Sequence, residues 1–167
     1  MILSLFRKKP AREPVYAVYR SIVAQSRRPV FYAEWGVPDT VTGRFDMISL
    51  HLALLMRRLR GEGDEMREFS QALHDLFFQD MDRSLREMGA GDMAVPKKIQ
   101  KMGSLFYGLL GNLSDALDRD DLPGIEILLA RNVTETGAKR LAAYLYQEAR
   151  GLAARSPQDI IALAEAA

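Results

Sequence analysis

Residues 43–60 read GRFDMISLHLALLMRRLR, and their spacing decides the fold. Phe45, Ile48, Leu52, Leu55, Met56 and Leu59 recur at intervals of three and four, which gathers them on one face of an α-helix. Arg57, Arg58 and Arg60 crowd the end of the run, and Gly61 and Gly63 follow it. Cations beside the carbonyl end of a helix, then glycine, mark a stop.

The same period extends in both directions. A helix is predicted over 14–26, with Tyr16, Tyr19, Ile22 and Val23 on its stripe. Residues 30–42 are predicted to be a loop because Pro29, Gly36 and Pro38 interrupt them. Over 64–88 the stripe is Met66, Phe69, Leu73, Leu76, Phe77, Met81 and Leu85, with Gly89 placed for a left-handed cap. Pro96 suits the first turn of a helix continuing through Ile99, Met102, Leu105, Phe106, Leu109, Leu110 and Leu113. Leu122, Pro123 and Gly124 open a short helix ending near Arg131, Thr134 or Thr136 caps the next, and Ser156 with Pro157 and Asp159 starts the last. Strict alternation is nearly absent. The expectation is an all-α protein, a single-domain bundle of six or seven helices over 14–167, preceded by a basic segment over 1–13 that is either disordered or lies on a membrane surface.

Composition narrows the function. The chain has 167 residues, 48% of them hydrophobic, which is enough to fill one core, and one compact domain is the expectation. Cysteine is absent, so disulfides, thiolate metal sites and thiol nucleophiles are excluded. No apolar run reaches the ~20 residues of a membrane-spanning helix, and the N-terminus places apolar residues before basic ones, the reverse of a secretory signal. A cytoplasmic protein is expected. Residues 1–30 hold seven Lys or Arg against Glu13 alone, a local charge of +6 on a chain of net charge +1. Ile2, Leu3, Leu5 and Phe6 followed by Arg7, Lys8 and Lys9 form a weak interfacial motif, consistent with peripheral contact on the cytoplasmic face of an inner membrane.

Three regions carry candidate binding groups. Tyr32 and Trp35, the single Trp, sit with Phe31 in the proline- and glycine-punctuated stretch, where aromatics either anchor a partner or fold back onto the core. Residues 79–92, QDMDRSLREMGAGD, pack Asp80, Asp82, Arg86, Glu87 and Asp92 around a glycine turn. Asp80 and Asp82 are two apart and point in different directions, whereas Asp82 with Arg86 and Arg83 with Glu87 are four apart and suit intrahelical ion pairs. Lys97, Lys98 and Lys101 open a helix, where the dipole disfavours cations, and this hints at contact with an acidic partner or a phosphate.

The stretches over 31–51, FYAEWGVPDTVTGRFDMISLH, and 78–102, FQDMDRSLREMGAGDMAVPKKIQKM, with weaker agreement at FYGLL over 106–110, resemble the assembly chaperones of ubiquinol–cytochrome c reductase, respiratory complex III, in mitochondria and related bacteria. The resemblance covers roughly 31–152 and looks like a bacterial-type member. It implies a non-catalytic chaperone that binds newly made cytochrome b, with the ribosomal tunnel exit as a further partner known from the mitochondrial branch. Carried over position by position, the polar residues are Asp46, His51, Asp80, Asp82, Arg86, Glu87, Gly89 and Asp92, and the basic ones Lys97, Lys98 and Lys101. No cofactor, metal or specific DNA contact is implied. Two rival readings remain: a metal-dependent phosphohydrolase using His51, His74, Asp75 and Asp115 or Asp118, and an RNA or ribosome adaptor working through the basic N-terminus.

Overall fold

The computed structural model describes residues 12–167, and the candidate membrane-surface residues Ile2, Leu3, Leu5, Phe6, Arg7, Lys8 and Lys9 lie outside them. The described elements are all helical: α1 (Arg12–Ser26), α2 (Pro29–Ala33), α3 (Val41–Leu59), α4 (Asp64–Glu87), α5 (Val95–Asp118), α6 (Leu122–Asn132), α7 (Ala138–Ala153) and α8 (Pro157–Ala166). Seven of these run ten residues or more, as the periodicity requires, and α2 is a five-residue turn.

That turn corrects the expectation of a loop over 30–42. Pro29 stands at the start of α2, where its missing N–H is not needed and its fixed φ suits the helix, so the proline starts the helix that it was expected to break. The following helix also begins earlier than residue 43, because Thr40 in extended conformation accepts the Gly43 N–H at 3.1 Å and caps α3 at Val41.

Helix α3 is the axis of the bundle. Helices α1, α4, α5 and α7 all pack on it, α6 packs on α5 and α7, and α8 closes on α1. Hence α3 buries not one stripe but nearly its whole circumference: Met47, Leu50, Ala53 and Leu54 join the expected Phe45, Ile48, Leu52, Leu55 and Leu59 in the core. Helix α4 keeps most of its expected face, with Met66, Phe69, Leu73, Phe77, Met81 and Leu85 buried and Leu76 half-buried, whereas Tyr16 of α1 and Leu105 of α5, expected on inward faces, are exposed.

Local chemistry fixes the ends. At the close of α4, Gly89 takes φ +86, its N–H reaches the Arg86 carbonyl at 3.0 Å, and the Ala90 N–H reaches Leu85 at 3.1 Å, the paired bonds of a Schellman cap. Asp121 Oδ1 accepts the Gly124 N–H at 2.9 Å to start α6, and Ser156 Oγ accepts the Asp159 N–H at 3.1 Å to start α8. Thr134 serves α7 indirectly, accepting the Gly137 N–H while its own hydroxyl donates to the Trp35 carbonyl. The arginines ending α3 are used as well: Arg57 meets Asp118 of α5 at 2.6 Å, and Arg58 donates to the carbonyls of Leu152 and Arg155 after α7. Among the described residues no helix is long and apolar enough to cross a membrane.

Candidate functional site

The sequence candidates separate into three places. The first is a buried polar knot under α2. His51, on the α1 and α7 side of α3, directs Nδ1 at the Met47 carbonyl, 2.7 Å away, so Nδ1 carries the proton. Nε2 therefore accepts, and the Tyr144 hydroxyl of α7 donates to it at 2.8 Å. Tyr144 in turn accepts from Gln25 of α1 at 2.9 Å, and Gln25 also donates to Glu148 at 2.8 Å. Burial lowers the His51 pKa and raises that of Tyr144 to about 12, so both rings stay neutral near pH 7.

The aromatic candidates cover this knot. Phe31 is fully buried, and Trp35 meets it edge-on at 5.3 Å and Tyr144 at 5.9 Å. The Trp35 carbonyl lies so near Gly137 that a Cβ there would sit 1.7 Å from it, which fixes glycine at that crossing. Tyr32, half-buried, donates to the Ser26 carbonyl at 2.9 Å. These aromatics fold back onto the core and bind α2 to α1, α3 and α7.

The second place is the α4–α5 turn. Asp80 accepts from Tyr19 of α1 at 2.6 Å and pairs with Arg83 at 2.8 Å, so one carboxylate holds two helices together. Arg86 bridges Asp82 at 2.8 Å and Asp92 at 2.6 Å, strapping the end of α4 to the turn. Glu87, Lys97, Lys98 and Lys101 stand exposed around this tip, and Met93 between them is 90% exposed. A methionine left in solvent among cations suits a flexible contact surface.

The third place is a cavity of about 250 Å³ between α3, α5 and α6. Phe45, Leu105, Phe106, Leu109, Leu128 and Val133 make its apolar walls, and Asp46 and Ser49 of α3 are among its polar groups, with Thr42, Ser104, Asn112 and Asn132. The Ser49 hydroxyl is wholly buried and has no hydrogen-bond partner, which is costly for a hydroxyl. Asp46 is half-buried, with no hydrogen bond or ion pair among the described residues, and burial alone pushes its pKa up to about 7.

His51 and the His74–Asp75 pair do not form a common centre. His74 faces α5, where its Nε2 meets the Tyr107 hydroxyl at 3.0 Å, while both nitrogens of His51 are engaged within the knot. Among the described residues no group of three His, Asp or Glu side chains is placed to hold a metal ion. Ser49, Gln25, Tyr144 and Glu148 were not anticipated. Ser49 alone left a trace in the sequence, as a lone hydroxyl inside MISLHLALL.

Comparisons with known proteins bear on the family and the fold. Residues 33–165 match the family described as Ubiquinol-cytochrome C chaperone. The crystal structure of the Cbp3 homolog from Brucella abortus is similar at 40% sequence identity and a TM-score of 0.83, over 99% of this chain and 93% of that one. No curated protein matches the chain significantly.

Proposed function

The chain belongs to the Ubiquinol-cytochrome C chaperone family and is a complex III assembly chaperone; on that premise we propose that it holds newly made cytochrome b by protein contact, with no bond made or broken. The observation that supports this is the outward side of α5. Leu105 is 52% and Tyr107 54% exposed, and around Gly103, Gly108 and Gly111 there is open space where a side chain would stand. A helix of the client can approach such a surface closely, and the exposed Met88 and Met93 at the neighbouring turn adapt to its side chains.

Roles divide accordingly. Tyr32, Trp35, His51 and Asp80 hold the scaffold, whereas Asp82, Arg86, Glu87, Asp92, Lys97, Lys98 and Lys101 rim the α4–α5 tip beside the binding face. The segment over 2–9 adds a contact with anionic membrane surface, which flotation with anionic vesicles tests: binding should weaken steeply with salt, and salt-independent or absent binding removes it. For the client, pulse-labelled cells carrying the tagged protein should yield newly made cytochrome b on pull-down, and deletion should lower complex III. Unchanged complex III in the deletion strain would overturn the proposal.

A further inference from the structure

The cavity between α3, α5 and α6 has the size and lining to take a side chain of a bound polypeptide. It is smaller than the roughly 300–1,000 Å³ of small-molecule pockets, and its volume of about 250 Å³ suits one long side chain. Its polar lining on α3 favours a donor: the ionised Asp46 carboxylate can only accept, and the Ser49 hydroxyl has lone pairs free. The Nδ2 of Asn132, also on the wall, donates to the Leu128 carbonyl at 2.8 Å. The walls of Phe45, Leu105 and Leu109 suit methylenes.

The mouth is built for close approach. Ser104 and Gly108 of the lining stand four residues apart along α5, and the Cβ direction of Gly108 meets nothing within 4 Å. A helix laid on this ridge comes near enough for a side chain to reach the cavity floor.

We propose that this cavity receives a single lysine of the bound polypeptide, its ammonium held by Asp46 and Ser49 and its stem lying against Phe45, Leu105 and Leu109. The compact ammonium with three donors fits a carboxylate and a hydroxyl among apolar walls better than the planar fork of arginine. The inference rests on the chaperone reading and adds the chemistry by which the client is gripped.

The test uses the full chain and three labelled, alanine-rich helical peptides that differ only at the centre, where they carry lysine, norleucine or glutamate. Wild type should bind the lysine peptide about tenfold more tightly than the norleucine peptide, as expected for a charge-assisted hydrogen bond in a sheltered site. Asp46→Asn should erase most of that preference, and Ser49→Ala should reduce it, with circular dichroism showing both variants folded. Equal affinity of wild type for the lysine and norleucine peptides, or a preference that survives Asp46→Asn, overturns the assignment. If the preference is missing while pull-down still yields cytochrome b, only the cavity assignment falls; if pull-down is also empty, the chaperone–client reading falls with it.

Discussion

Replacing Asp46 by Asn should make the protein more stable, and only above acidic pH. The carboxyl pKa rises from 3.8 to about 7 through burial alone, because no cation or hydrogen-bond donor offsets the loss of water. Asp46 is the sixth residue of α3, beyond the first turn where the helix dipole would favour a negative charge. Between these two pKa values the native protein binds more protons than the unfolded chain, so stability falls as pH rises through that window and levels off above it. Three pKa units correspond to about 4 kcal/mol, and partial exposure of the carboxyl to water roughly halves this to ~2 kcal/mol at pH 8. Asn keeps the shape and has similar helix propensity, so the variant isolates the charge. Urea unfolding at pH 4 and pH 8 should give nearly equal stabilities at the lower pH and a gain of ~2 kcal/mol for Asp46→Asn at the higher, equivalent to roughly 4–8 °C in Tm for a chain of this size. A variant less stable than wild type at pH 8 would show that Asp46 has a stabilising partner and would refute the reasoning.

Other parts of the structure give further expected outcomes. Tyr144→Phe strips His51 Nε2 of its donor and Gln25 of an acceptor, so urea unfolding should show a loss of about 1–3 kcal/mol; a neutral result would mean the knot is not under strain from unmet hydrogen bonds. Arg86→Ala breaks exposed pairs with Asp82 and Asp92, so global stability should hardly change while amide exchange over 89–94 quickens; unchanged exchange would deny the strap. Manganese or zinc should leave the melting temperature unchanged, because no set of carboxylates and imidazoles converges among the described residues; a concentration-dependent rise would restore a metal site.

How much of this was legible in the sequence depends on the range of each interaction. The α4 stripe and the Ser156 cap were readable because each is decided within a few residues. Pro29 was misread since proline is compatible both with a loop and with a first helical turn, and the choice depends on Phe31 being drawn into the core. The α3 stripe was seen, yet its burial all round was not, because the number of neighbouring helices is a tertiary property. The polar knot was beyond reach: His51 and Tyr144 are 93 residues apart, and Tyr19 and Asp80 are 61 apart. Asp46 entered the candidate set through family resemblance, while its isolation and the orphaned hydroxyl of Ser49 became visible only once α5 and α6 closed the cavity over them.

The chaperone reading makes α5 the face that meets the client. A photoreactive residue placed in living cells at Leu105, on the lip of the cavity, should capture newly made cytochrome b, and the same residue at Arg20, exposed on α1, should not. Equal capture from the two positions, or none from Leu105 while the tagged protein still pulls down cytochrome b, would contradict it.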